Sequence, residues 1–124
     1  MSEHFSIKAR LQSMRFAFNG LSILWNEQHN SRVHLLATAL VLILGLILSM
    51  SSVQWVLLLL LIAQVWVAEA LNSAVEYLCD KVTLEHDPLI GKAKDVAAAG
   101  VLIASAISAI GGLILFVPLI VNML

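Results

Sequence analysis

Apolar residues fill two long tracts of this chain, and the charged residues keep out of both. No Asp, Glu, Lys or Arg falls between Arg32 and Glu69, and none follows Asp95. Val33 to Met50 would make ~27 Å of helix, close to the ~30 Å hydrocarbon core of a bilayer. Ser51-Ser52 predicts a tight turn, after which Val53 to Ala68 opens a second span that continues to about Cys79. A third runs from Val96 to about Val121, and Asp87-Pro88-Leu89-Ile90-Gly91 predicts a break in the helical pattern before it. Ahead of these, residues 1–28 set Phe5, Ile7, Leu11, Met14, Phe18, Leu21 and Leu24 at three-to-four spacing among Lys8, Arg10 and Arg15. That spacing predicts an amphipathic helix on the membrane surface, its bases suited to anionic headgroups. The expected fold is all-α and integral to the membrane. It is a single domain over 1–124, with a surface helix at 1–28 and membrane helices at 33–50, 53–79 and 96–121.

Composition supports that picture. Sixty per cent hydrophobic content with 12% charged residues suits a bilayer, and a net charge of −1 offers no field to attract nucleic acid. The lone Cys79 excludes an internal disulfide and a cysteine-based zinc site. Lys8, Arg10, Arg15 and Arg32 precede the first span, and Lys81, Lys92 and Lys94 lie between the second and third. The positive-inside rule therefore puts the N-terminus and the 80–95 loop in the cytoplasm. Trp55 suits the outer interface, and Trp25 and Trp66 the inner one. In the third span Gly100, Ala104, Ser108 and Gly112 put a small residue at every fourth position, which allows close helix approach within one chain or between chains.

The candidate chemistry lies where the second span leaves the membrane. At ~100° per residue, Glu69, Glu76 and Asp80 share a stripe about 40° wide, with Asn72 about 60° to one side. Like charges stacked on one helix face repel, and near a membrane they are poorly hydrated, so the stripe reads as a site for a cation. Glu27, Asn30 and His34 share a face in the same way, with Gln28 and Arg32 adjacent, and Lys94-Asp95 closes the loop before the third span. Magnesium accepts one or two carboxylates together with substrate phosphates. A lysine supplies a point charge for phosphate oxygens, and a remaining carboxylate could take the proton of an alcohol. These are the parts of metal-assisted phosphoryl transfer to a hydroxyl.

No G-x-x-x-x-G-K-S/T loop, glycine-rich kinase loop, G-x-S-x-G elbow or H-E-x-x-H pair accompanies them. Taken singly, His34 is an ordinary interfacial histidine, Glu85 and Asp87 are a solvated loop, and Asp80 is a partner for Lys81. Glu69 with Glu76, two turns apart on one face, resists such a reading best. Physical reasoning thus reaches a metal-binding acidic site at a membrane interface. It leaves open a lipid kinase, a subunit that moves protons or ions through these carboxylates, and a non-catalytic helical partner.

The run Glu69-Ala70-Leu71-Asn72-Ser73-Ala74-Val75-Glu76 with Asp80, followed by Lys92-Ala93-Lys94-Asp95, closely resembles the small prokaryotic diacylglycerol kinase family, which includes the undecaprenol kinases. Gly20, the segment Asn30-Ser31-Arg32-Val33-His34 and the loop His86-Asp87-Pro88-Leu89 extend the resemblance over nearly the whole chain. It implies a homotrimer of three-span subunits in the bacterial inner membrane, with active sites shared between neighbours. It implies ATP- and Mg2+-dependent phosphorylation of a membrane lipid alcohol, either diacylglycerol to phosphatidic acid or undecaprenol to undecaprenyl phosphate.

Carried over by position, Glu69 would be the catalytic base, Glu76 a magnesium ligand and Asn72 part of the active site. Lys94 and Asp95 would meet the nucleotide, as would Arg10, Glu85, His86 and Asp87, with Asp80 at the nucleotide end. Asn30, His34 and Glu69 would face the lipid substrate. One departure stands out. The family usually carries a glutamate two residues before the position of Asn30, as a second metal ligand; this chain has Gln28 there, with Glu27 beside it. An amide oxygen is the weaker magnesium ligand. Either Glu27 turns in, which needs local unwinding to close a helical offset of ~100°, or Glu76 and phosphate oxygens suffice. Glu27 and Gln28 are both taken as metal candidates here, Glu27 foremost. The segment from Asn30 to His34 looks more like the undecaprenol kinases, whereas the other motifs fit either branch.

Overall fold

The computed structural model describes residues 4–124; the first three, which the expected surface helix included, lie outside the described residues. Four helices follow in order: α1 (Ile7–Glu27), α2 (His29–Ile47), α3 (Ser52–Val82) and α4 (Pro88–Met123). The last three are long and apolar enough to cross a membrane. Within the protomer only 11%, 17% and 11% of their most apolar stretches is buried, so most of their side chains are clad by something other than this chain. A helix satisfies its own backbone, which is why it can present such a surface to lipid.

The helix starts follow local chemistry. The Ser6 hydroxyl accepts from the Ala9 N–H at the head of α1, and Ser51 with Gln54 forms a reciprocal capping box at the head of α3. Two boundaries depart from the sequence expectation. The first membrane helix ends at Ile47 rather than running to Met50, because Ser49 adopts φ 54° and reverses the chain. Gly45 makes that reversal possible: a Cβ there would lie 2.8 Å from Met50 Cε and 3.0 Å from Trp55 Cη2. The break expected at 87–91 does separate the second and third membrane helices, but it lies at Thr83 to Asp87. Asp87 accepts from the N–H groups of Leu89 and Ile90, and Pro88 occupies the first turn, where its missing N–H costs nothing. Leu89, Ile90 and Gly91 are therefore helical.

α3 and α4 share the most extensive contact, while α2 lies more lightly against α1 and α3. Two polar clamps tie α3 to α4: Ser108 Oγ donates to the Leu61 carbonyl at 2.7 Å, and Gln64 Nε2 to the Ala104 carbonyl at 3.2 Å. Such interhelical bonds contribute about 0.6–2 kcal/mol each in a membrane. Of the small-residue stripe, Ala104 is buried and Ser108 bonded, but a Cβ at Gly100 or Gly112 would meet nothing within 4 Å. The tight approach is instead at Gly111, where a Cβ would come 2.9 Å from the Leu61 methyls. Met50, Leu58 and Phe116 form the apolar core, joined by Val41, Trp55 and Ile62.

Candidate active site

Three polar groupings lie along α3, each tying it to a different part of the chain. The deepest is at Glu69. Val65, Glu69 and Ser73 recur at helical spacing on the buried face of α3, and Glu69 is only 5% exposed. From α2, His34 Nε2 reaches Glu69 Oε1 at 2.7 Å. When Glu69 is ionised the carboxylate accepts and the imidazole donates. The His34 carbonyl accepts from Thr38 Oγ1 at 2.7 Å, and Thr38 Oγ1 accepts from Trp66 Nε1 at 3.1 Å. Trp66 meets the His34 ring edge-on. His34, Thr38 and Trp66 also line an apolar cavity of about 510 Å³ between α2, α3 and α4, with Val41, Leu61 and Phe116 among its other walls.

The second grouping gathers at Tyr77. Gln28 belongs to neither α1 nor α2; at φ −109° and ψ 106° it is extended backbone and caps both helices. Tyr77 donates its hydroxyl proton to Glu27 Oε2, and Gln28 Nε2 donates to the same hydroxyl at 3.2 Å. Glu76 directly precedes Tyr77 on α3. One turn back along α3, Asn72 Oδ1 is buried and has no hydrogen-bond donor among the described residues. Among the described residues no three His, Cys, Asp or Glu side chains gather into a metal cluster. The available set is two carboxylates, Glu76 and Glu27, with the amide oxygens of Asn72 and Gln28. Hard oxygen donors in that number suit magnesium, which keeps waters and takes phosphate oxygens for its remaining positions, so the residues present fit it. Tyr77 did not figure in the sequence reading. Its one signal is that the only tyrosine in the chain follows Glu76 directly.

The third grouping is Asp80 with Lys94, which donates Nζ to Oδ1 at 2.7 Å. Glu76 also acts on the Lys94 ammonium. The pair is well exposed, at 40% for Lys94 and 50% for Asp80, so water competes for it and an incoming anion can displace the carboxylate. The remaining expected site residues stand apart within one chain. Arg10 lies over the Phe5 ring at 5.6 Å. Asn30, Glu85, His86 and Asp95 are exposed, and Asp87 caps α4. None of them has a hydrogen bond or ion pair to Glu69, Asn72, Glu76 or Asp80 among the described residues.

This arrangement can be set beside known proteins. The family model for prokaryotic diacylglycerol kinase matches residues 15–116, most of the chain. The chain belongs to the prokaryotic diacylglycerol kinase family. An undecaprenol kinase of Bacillus subtilis (strain 168) is 38% identical over 91 residues, 73% of this chain and 74% of its own length. A diacylglycerol kinase of Escherichia coli (strain K12) is 30% identical over 100 residues, covering 81% of this chain and 82% of its own. A diacylglycerol kinase of Synechocystis is 33% identical over 112 residues, 89% of this chain and 64% of the relative. Membership in the diacylglycerol kinase family makes the chain a lipid kinase with an alcohol as acceptor, and a multi-pass membrane protein. It removes the ion-translocating and non-catalytic alternatives, since neither is a kinase.

Proposed function

We propose that the chain transfers the terminal phosphoryl group of ATP, with Mg2+, to the hydroxyl of a membrane lipid alcohol. The site would lie at the cytoplasmic face of the bacterial inner membrane, in a homotrimer whose neighbours share it, with α1 along the membrane surface. One observation carries this reading: the buried Glu69–His34 pair beside an apolar cavity, with oxygen donors further along α3 and Lys94 of α4 bonded to Asp80 there.

Glu69 accepts the hydroxyl proton as the lipid oxygen attacks phosphorus. His34 holds Oε1 through its N–H and leaves Oε2 to face the alcohol. The hydroxyl and the first carbons of the lipid enter between α2 and α3, where the apolar walls exclude water from the phosphoryl group. Lys94 exchanges Asp80 for phosphate oxygens. Asp80, Asp95 and Arg10, together with the Glu85-His86-Asp87 loop, would approach the nucleotide, and Asn30 the lipid headgroup region. Glu76, with Glu27 and the amide oxygens of Gln28 and Asn72, would hold magnesium, which when bound neutralises phosphate charge and orients the chain of phosphates.

Of the two acceptors named among the relatives, undecaprenol is the better supported. The undecaprenol kinase of Bacillus subtilis is the more similar at 38% identity, against 30% for the Escherichia coli diacylglycerol kinase. The test is to reconstitute the protein with Mg-ATP and each lipid in turn, and to compare kcat/KM. Undecaprenol should be the better substrate by at least about tenfold, the discrimination that ~1.4 kcal/mol supplies. A preference for diacylglycerol would reverse the assignment of the acceptor, and phosphorylation of neither would sink the proposal.

A further inference from the structure

The junction between α1 and α2 carries a device that no motif in this chain predicts. Glu27 is the last residue of α1, and the extended backbone of Gln28 uncouples it from the helical grid of α2. The ~100° offset that separates neighbouring side chains on one helix therefore does not constrain it. Tyr77 takes up that freedom. A phenol has one proton to give, and it goes to Glu27 Oε2, because an ionised carboxylate can only accept. Gln28 must then donate its Nε2–H to the phenol oxygen, as the 3.2 Å contact has it. The chain of bonds runs one way, from amide to phenol to carboxylate. It leaves Glu27 Oε1 and Gln28 Oε1 without hydrogen-bond partners among the described residues.

Both free oxygens therefore lie at the end of α3 that bears Glu76, the next residue to Tyr77. The phenol thus ties the Glu27 carboxylate to the residue beside Glu76 on α3. Carboxylates brought together repel unless a cation sits with them.

The geometry points to Tyr77 as a positioning residue that swings Glu27 beside Glu76 to complete the magnesium site, in place of the carboxylate that position 28 lacks. This rests on the Mg-ATP reading above. The phenol does not touch the metal; it acts through Glu27. An outer partner of that kind is worth about 10- to 100-fold in metal affinity.

The test uses the purified full-length protein, with Mn2+ as a paramagnetic probe titrated in the absence of lipid. Tyr77→Phe, which keeps the ring and deletes the hydroxyl, should weaken Mn2+ binding about tenfold, as should Glu27→Gln. The double variant should be no weaker than Glu27→Gln alone, since the phenol works only through that carboxylate. Adding Gln28→Glu to Tyr77→Phe should restore binding, because it supplies a carboxylate that needs no phenol to steer it. In turnover, Tyr77→Phe should raise the Mg2+ concentration for half-maximal rate by more than it lowers kcat.

Wild-type binding with Tyr77→Phe unchanged would overturn the positioning role and leave the kinase reading intact. A loss in Tyr77→Phe that Gln28→Glu fails to rescue would also overturn it, by marking the phenol as a mere tie between helices. Absence of Mn2+ binding by the wild type at millimolar concentration would overturn the magnesium reading and this inference together.

Discussion

A carboxylate buried to 5% exposure against a single histidine has one oxygen left to use. For Glu69 the proposed chemistry follows from that confinement: His34 occupies Oε1, so Oε2 would serve as the base. Glu69→Gln keeps the shape and an acceptor for His34 but cannot take a proton. It should lower lipid phosphorylation by about 10²- to 10⁴-fold while the oligomer survives, measured as ATP-dependent labelling of lipid beside the elution volume. Retained activity would remove Glu69 from the role. This residue was legible in the sequence because it ends a tract without charge. His34 was legible as polar and near the candidate site, but its bond to Glu69 was not, since the partners lie 35 residues apart. Tyr77 was not legible: one aromatic side chain on a helix carries no periodic signal.

Between elements, the two junctions do different work. The α1–α2 junction bends at Gln28 and brings Glu27 onto α3, the local unwinding that a metal role for Glu27 requires. The α2–α3 junction is structural. There Gly45 lets Met50 and Trp55 close over the end of α2, and Ser49 takes a left-handed backbone. Gly45→Val would drive branched methyls into a rigid indole and should destabilise the protein by about 1–3 kcal/mol, seen as a lower midpoint in a denaturant titration in detergent. An unchanged midpoint would mean that the turn repacks freely. The break expected at 87–91, found at Thr83 to Asp87, shows how a local signal can displace a boundary. Proline reads as a helix breaker in sequence, yet after an Asp that caps the N-terminus it starts a helix.

For the whole molecule, a single chain brings the expected site residues only partly together. Glu69 and Asp80 of α3 meet His34 and Lys94, but Arg10 stacks on Phe5 and Asp95 is exposed without an ion pair among the described residues. Helices buried to less than a fifth of their apolar stretches leave ample surface for neighbouring chains. If Arg10 serves the nucleotide of a neighbour, two inactive variants should repair each other. Glu69→Gln and Arg10→Glu subunits, each inactive alone, should regain lipid phosphorylation when co-assembled from mixed, unfolded chains. No recovery on mixing would place each active site within one subunit.

The sequence by itself determined the number of membrane helices, the acidic stripe on α3 and the family. Those depend on local quantities: the length of an apolar tract, the 3.6-residue period and a run of specific residues. Only the tertiary structure decided which partner each polar side chain takes, with His34 on Glu69, Lys94 on Asp80 and Tyr77 on Glu27. Each of those pairs joins two different elements. Their meeting depends on how the helices rotate and slide against one another, and periodicity within one helix carries no information about that.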